Sequence, residues 1–119
     1  DETVFEDAIG ATTEIRRLEV NIGDAVARDD VATDRGIFVS SSSQIAFAKD
    51  GTQTVTGPVN GFAAAGGTVV IRADSTTVFR DAIGGRDSLD VVDIRDGGTA
   101  RLHDNLTADT LGTDHQRPR

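Results

Sequence analysis

The 119-residue chain contains no cysteine, methionine, tryptophan or tyrosine. Without cysteine it can form no disulfide bond, no cysteine-ligated metal site and no thiol-based catalytic site. Only 4% of its residues are aromatic and 37% are hydrophobic, which is less than a compact globular domain usually contains. We therefore expect a thin core built from valine, isoleucine, leucine, alanine and phenylalanine side chains.

Positive charge is also scarce, because one lysine and 11 arginines face 16 aspartates and four glutamates, for a net charge of -8. Nucleic acids and anionic lipid surfaces are bound by basic faces, so we predict neither as a partner. No apolar run approaches the length of about 18 residues that a membrane-spanning helix needs. We therefore predict no insertion into a membrane.

The most informative feature that the chain does contain is a repeat. Residues 3–10 read TVFEDAIG and residues 77–84 read TVFRDAIG, so seven of eight positions are identical at an offset of 74. Self-similarity at a long fixed period is typical of repeat architectures, and this period divides into three coils of about 25 residues. The one difference places Glu6 opposite Arg80, and we expect these opposite charges to lie over one another in the stack or across a junction.

Short β-prone segments separated by turn residues follow one another along the whole chain. The clearest ones cover residues 37–39, 44–47, 52–56, 68–71, 76–79 and 89–94. Together with the repeat they predict an all-β fold, a right-handed parallel β-helix of about five rungs. A β-sandwich is the alternative, because strand spacing alone also permits it.

Two polar stretches interrupt this pattern and set the predicted domain organisation. Residues 24–35 (DAVARDDVATDR) contain only scattered apolar residues, which predicts a loop that projects from the coil. Residues 110–119 are polar after Leu111, which predicts a flexible tail. The β-solenoid domain is therefore expected to cover residues 1–109.

Residues 77–85 (TVFRDAIGG) with 89–92 (LDVV), and residues 51–59 (GTQTVTGPV), resemble the repeats of large secreted bacterial adhesins of the filamentous haemagglutinin and autotransporter type. Val55 stands where that pattern usually has tyrosine. The resemblance implies an exported parallel β-helix that serves as a stalk or scaffold, outside the cell or on the bacterial surface. It implies no catalytic residues.

One group of acidic residues could bind a metal ion. Asp29, Asp30 and Asp34 lie in a short segment before a glycine, and Ca²⁺ prefers six to eight oxygen ligands of this kind. The alternative is a solvated acidic loop that is neutralised by Arg28 and Arg35. Calcium is the only cofactor that we consider, and none is required.

The ends of the predicted coil carry the functional prediction. A stack of rungs exposes unpaired backbone and apolar core at both ends unless it is capped, and no amphipathic cap is visible at residues 1–5. We expect an assembly interface that contains, at the two ends, Val4, Phe5, Glu6, Leu106 and Leu111. The partner would be another copy of the chain or neighbouring repeats of a longer one, joined head to tail into a filament.

The sequence therefore predicts a structural module of an extracellular surface fibre or adhesin. An adhesive module that binds a glycan, a cation or a surface protein is the alternative. We do not predict an enzyme, because no catalytic constellation is recognisable. A polysaccharide-active enzyme with two carboxylates is a less favoured possibility, since neither tyrosine nor tryptophan is available to stack on a sugar.

Overall fold

The computed structural model describes residues 2–10, 13, 15–21, 23–61, 66–72, 74–85, 87–95 and 97–113. This part of the chain forms short strands and no helix, so it contains no helix that could cross a membrane. The strands are β1 (Glu2–Phe5), β2 (Leu18–Val20), β3 (Gly23–Ala27), β4 (Val31–Ala32), β5 (Ile37–Val39), β6 (Ser43–Phe47), β7 (Gly51–Thr56), β8 (Val59–Gly61), β9 (Thr68–Ile71), β10 (Ser75–Phe79), β11 (Leu89–Ile94), β12 (Thr99–Leu102) and β13 (Ala108–Thr113).

The strands form three parallel sheets that wrap around one core. The first wall has six strands in the order β1-β3-β6-β9-β11-β13. The second wall has four strands, β4-β7-β10-β12, and the third wall has three, β2-β5-β8. The chain visits the first, second and third walls in turn and then starts the next coil. Sandwiches are built from antiparallel sheets, so the structure confirms the predicted parallel β-helix and excludes the alternative.

The register of the first wall gives the length of each coil. Glu2 pairs with Asp24, and the same row continues through Gln44, Thr68, Val91 and Thr110. The coils are therefore 22, 20, 24, 23 and 19 residues long. Five such steps separate the six strands, as the prediction of about five rungs requires.

The core is a narrow column of side chains that point inward from the three walls. Its largest completely buried members are Phe47, Phe79, Ile37, Ile45, Ile71, Ile83 and Leu89. The rings of Phe47 and Phe79 meet edge to face, with their centroids 5.4 Å apart and their planes at 85°. Each coil thus buries a few apolar side chains against the coils before and after it, as a solenoid requires.

The prediction that residues 24–35 project as a loop is wrong. They contain most of β3 and all of β4, and they form a regular part of the second coil. Ala25, Ala27 and Val31 are buried in the core, while Asp24 and Arg28 are exposed. Small apolar residues are sufficient here because the interior is narrow, and the many charges around them concealed this inward pattern in the sequence.

The repeat of 74 residues does not correspond to three coils. Three steps along the first wall lead from Thr3 to Val69, which is eight residues short of Thr77. Thr77 instead lies in β10, in the second wall. Glu6 and Arg80 therefore follow strands of different walls, and the expectation that they stack within the coil is wrong. The Oε1 atom of Glu6 lies 4.0 Å from Nε of Arg28, on the neighbouring coil.

What the two copies of the repeat share is a local turn. Ile9 forms an isolated parallel bridge with Val31, and Ile83 forms one with Leu106. The glycine that follows each isoleucine has a φ of 73°. A Cβ atom at Gly10 or at Gly84 would overlap a carbonyl oxygen of the neighbouring coil, so only glycine fits this corner.

The coil also extends beyond its predicted end at residue 109. Strand β13 pairs with β11 from Leu89↔Ala108 to Ile94↔Thr113, so the first part of the expected tail belongs to the first wall. The alternating pattern of residues 108–113 is weak, because only Leu111 is a large apolar residue there. Residues 114–119 lie outside the described residues.

Candidate assembly surfaces at the two ends of the coil

At the C-terminal end of the described residues, core side chains of the last coil have no further described coil beside them. Leu102 lies opposite Phe79 in β10, and Leu111 lies opposite Val92 in β11. Both positions are in inward-facing rows, yet their exposed fractions are 43% for Leu102 and 58% for Leu111. Leu106 bridges to Ile83 and is partly buried. The column of core side chains thus ends in three leucines, two of them largely exposed.

The N-terminal end is also open, but its shape is different. Phe5 lies opposite Ala27, and Leu18 lies opposite Ile37, and both side chains are only partly buried. A depression of about 220 Å³ opens between the first and third walls at this end. Its lining includes polar and apolar residues alike, namely Thr3, Phe5, Leu18, Glu19, Val20, Asn21, Asp24 and Ala25. This end is therefore concave and partly apolar.

The edge strands at both ends have a sheet partner on one side only. Among the described residues, β1 and β13 are the two edges of the first wall, and β12 ends the second wall. Protein edge strands that avoid pairing usually carry proline, lysine or a bulge. None of these three strands contains proline or lysine. Their free backbone groups are therefore suited to pairing with a further parallel strand.

The predicted interface residues do not all face these ends. Phe5, Leu106 and Leu111 point into the core column at the first or last coil. Val4 lies instead on the outer face of the first wall, in the row that continues through Val26, and it is 37% exposed. Glu6 lies at a corner beside Arg28, as described above.

Sequence reasoning missed two residues of these surfaces, Leu18 and Leu102. Leu18 alternates with Val20 and Ile22 in the sequence, but nothing in this pattern shows that the segment lies at the end of the coil. Leu102 lies in a β-strand that is mostly exposed and polar, and its inward position follows only from its pairing with Phe79. A strand-by-strand register is needed to find both.

The acidic residues 29 and 30 are held by the single lysine of the chain. The Nζ atom of Lys49 lies 3.0 Å from Oδ1 of Asp29 and 4.0 Å from Oδ1 of Asp30. The hydrogen bond from Lys49, together with one from the backbone N–H of Asp30, lowers the pKa of Asp29 below its usual value. The hydrogen bond to Asp29 in turn raises the pKa of Lys49.

Asp30 has a second partner, because its Oδ1 atom accepts a hydrogen bond of 2.9 Å from the backbone N–H of Thr54. Asp34 lies beyond β4 and does not take part in this network. Within the part of the chain that the structure describes, no three acidic or histidine side chains come together as metal ligands. The neutralising partner of Asp29 and Asp30 is Lys49 of the next coil, whereas Arg28, one of the two expected partners, lies beside Glu6. Calcium binding stays a prediction.

The outer face of the second wall carries a ladder of threonines. Thr76 in β10 pairs with Thr52 in β7 on one side and with Thr99 in β12 on the other, so three threonines lie in register on successive coils. The neighbouring row contains Thr54, Val78 and Arg101.

Comparison with known proteins supplies no relative for this arrangement. The chain matches no protein-family model, no curated protein and no solved structure. The fold and the geometry of its two ends are therefore the observations on which a functional conclusion can be based.

Proposed function

We propose that this chain is a structural module that extends a fibre by stacking end to end on further coils of the same fold. The observation that carries the proposal is the exposure of Leu102 and Leu111 at the C-terminal end. Leu102 is in the row of the core residue Phe79 and Leu111 in the row of the core residue Val92, so a further coil would bury both leucines in the same way. The open N-terminal end, with Phe5 and Leu18 partly exposed, would receive that contact.

The geometry favours an open, head-to-tail contact over a closed dimer. The two ends present different surfaces, and a contact between unlike surfaces on a linear object does not close on itself. Each added copy would continue the first wall with six further strands. The resemblance to adhesin repeats would assign such a fibre to the outside of a bacterial cell, where it would serve as a stalk or scaffold.

Electron microscopy and fibre diffraction of the purified chain test the proposal. We expect unbranched filaments with strands perpendicular to the fibre axis and a reflection near 4.8 Å. Six strands at that spacing give an axial subunit repeat of about 29 Å. The same preparation with calcium and then with a chelator also tests the predicted role of Asp29, Asp30 and Asp34, since filaments that disperse in the chelator would support it.

A pair of variants tests whether the copies associate through the ends or through the sides of the coil. Leu102→Asp places a charge on the exposed end of the core and should prevent filament formation, because the charge would be buried in the contact. Thr52→Asp places the same charge on the exposed outer face of the second wall and should leave the filaments unchanged. Monomers of the unmodified chain at every soluble concentration, measured by sedimentation, would overturn the proposal.

A second candidate function is adhesion through the side of the coil, and the threonine ladder favours it. Thr52, Thr76 and Thr99 offer a row of hydroxyl groups to a glycan or a protein surface. Screening of immobilised glycans with the unmodified chain and with Thr76→Ala tests this candidate. Binding that is lost in the variant would support adhesion, and an absence of binding to every glycan would count against the glycan form of it.

A further inference from the structure

One inward-facing row of the first wall runs through the whole coil and ends differently at its two extremities. Thr3 pairs with Ala25, and the row continues through Ile45, Val69, Val92 and Leu111. Ala25, Ile45, Val69 and Val92 are at least 95% buried, whereas Leu111 at the far end is 58% exposed. The same row thus begins with the two smallest side chains and ends with a large, exposed one.

The small residues at the beginning of this row explain the depression at the N-terminal end. Thr3 and Ala25 leave unfilled the volume that isoleucine or valine fills further along, and both residues line the cavity of about 220 Å³. Sites for small organic ligands are usually larger, roughly 300 to 1,000 Å³. The depression is therefore better matched to a single side chain than to a cofactor.

We propose that Leu111 of one copy inserts into the depression formed by Thr3, Leu18, Val20 and Ala25 of the next copy. This inference rests on the proposed end-to-end assembly and defines its register. Strand β1 of the second copy would pair in parallel with β13 of the first, so that Thr3 lies directly over Leu111. A large side chain would then meet a small one across the junction, which permits close packing.

A disulfide cross-link tests the register directly, because the unmodified chain has no cysteine. Opposed residues on adjacent parallel strands are about 4.8 Å apart, which lies within the Cα separation that a disulfide bond accepts. We expect the Thr3→Cys, Leu111→Cys double variant to form a ladder of covalent multimers on mild oxidation, and reductant should reverse it. Thr52→Cys combined with Leu111→Cys is the matched control and should give no ladder.

A size swap tests the packing independently of any cross-link. Leu111→Ala should weaken association by about 10- to 100-fold, since it removes the apolar surface that the contact buries. Thr3→Leu should weaken it as well, because it fills the depression that Leu111 needs. The combination Thr3→Leu, Leu111→Ala should restore association, because a large side chain then meets a small one again. Circular dichroism checks that each variant keeps the β fold.

The outcomes distinguish this inference from the function on which it rests. Filaments of the unmodified chain without a Thr3–Leu111 cross-link, and without rescue by the size swap, would overturn the proposed register and leave end-to-end assembly intact. An unmodified chain that stays monomeric would overturn both.

Discussion

Gln53 shows how single residues hold the corners of this coil. Its side chain has no exposed surface, although glutamine usually lies at the protein surface. The Nε2 group donates hydrogen bonds to the carbonyl oxygens of Ala27 (3.1 Å) and Asp29 (2.6 Å) on the preceding coil. The Oε1 atom accepts one of 3.2 Å from the backbone N–H of Lys49. One amide thus satisfies three backbone groups where the chain turns from the first wall to the second.

Replacement of Gln53 by leucine should destabilise the coil by about 1 to 3 kcal/mol, because the carbonyl oxygen of Asp29 and the backbone N–H of Lys49 would lose their hydrogen bonds to the Gln53 side chain. Urea unfolding followed by circular dichroism measures this. Gln44→Leu is the matched control, since Gln44 is on the outer face of the first wall and partly exposed. It should change the free energy of unfolding by less than about 0.5 kcal/mol. Equal effects of the two substitutions would contradict the role of Gln53.

The pair of Asp29 and Lys49 gives a prediction about pH. The pKa of Asp29 is lowered from its usual 3.8, so its contribution to stability is fully present above that value. This contribution is lost as the pH falls through the lowered pKa. The pKa of Lys49 is raised from its usual 10.5, so its contribution is present below that value and is lost as the pH rises through the raised pKa.

Titration by nuclear magnetic resonance of the Asp29 carboxyl carbon tests this coupling. In a Lys49→Met variant we expect the pKa of Asp29 to rise back towards its usual value, because the hydrogen bond from Lys49 is lost. An Asp29 pKa that is the same in both proteins would show that Lys49 does not hold this carboxylate in solution.

At the scale of the elements, the two copies of the repeat are almost identical in sequence but differ in environment. Phe79 in β10 is only 1% exposed and contacts Phe47 edge to face, whereas Phe5 in β1 belongs to the first coil and is partly exposed. The repeat specifies a strand followed by a glycine turn, and it leaves the wall to be decided by the number of residues in the intervening coils. A repeated motif therefore predicts local structure better than it predicts stacking.

Truncation of the two phenylalanines should reveal this difference. Phe79→Ala should cost about 3 to 5 kcal/mol, because it leaves a cavity in the packed core. Phe5→Ala should cost roughly 1 to 2 kcal/mol, because part of its surface is already in contact with water. The free energy of unfolding in dilute solution, where the ends are free, is the quantity to compare. Similar costs at the two positions would contradict the different burial of the two repeats.

At the scale of the whole molecule, the coil has continuous sides and open ends. Along the sides, each strand has neighbours that satisfy its backbone, and charged residues such as Arg28 and Glu6 pair across coils. At the ends, the same alternation leaves Leu102 and Leu111 exposed, because burial of an inward-facing side chain depends on the coil that follows it. The stability of the coil and the proposed end-to-end assembly would thus both depend on the stacking of successive coils.

The sequence by itself determined the fold class and most strand positions. The strands at 37–39, 68–71 and 89–94 follow from short apolar runs between turn residues, and these local signals need no knowledge of the partner strand. Strands β3, β4, β8 and β13 were not found, because their inward residues are small or few. Alanine is large enough for inward positions in a narrow core. The alternation of inward and outward residues in these strands is therefore hard to recognise among the polar residues around them.

Only the tertiary structure decided which residues lie over one another. Coil lengths between 19 and 24 residues accumulate along the chain, so an offset of 74 ends on a different wall. The pairing of Lys49 with Asp29 and the inward position of Leu102 both follow from this register. The register of a strand depends on the lengths of all the coils before it, and no local segment of the sequence contains this information.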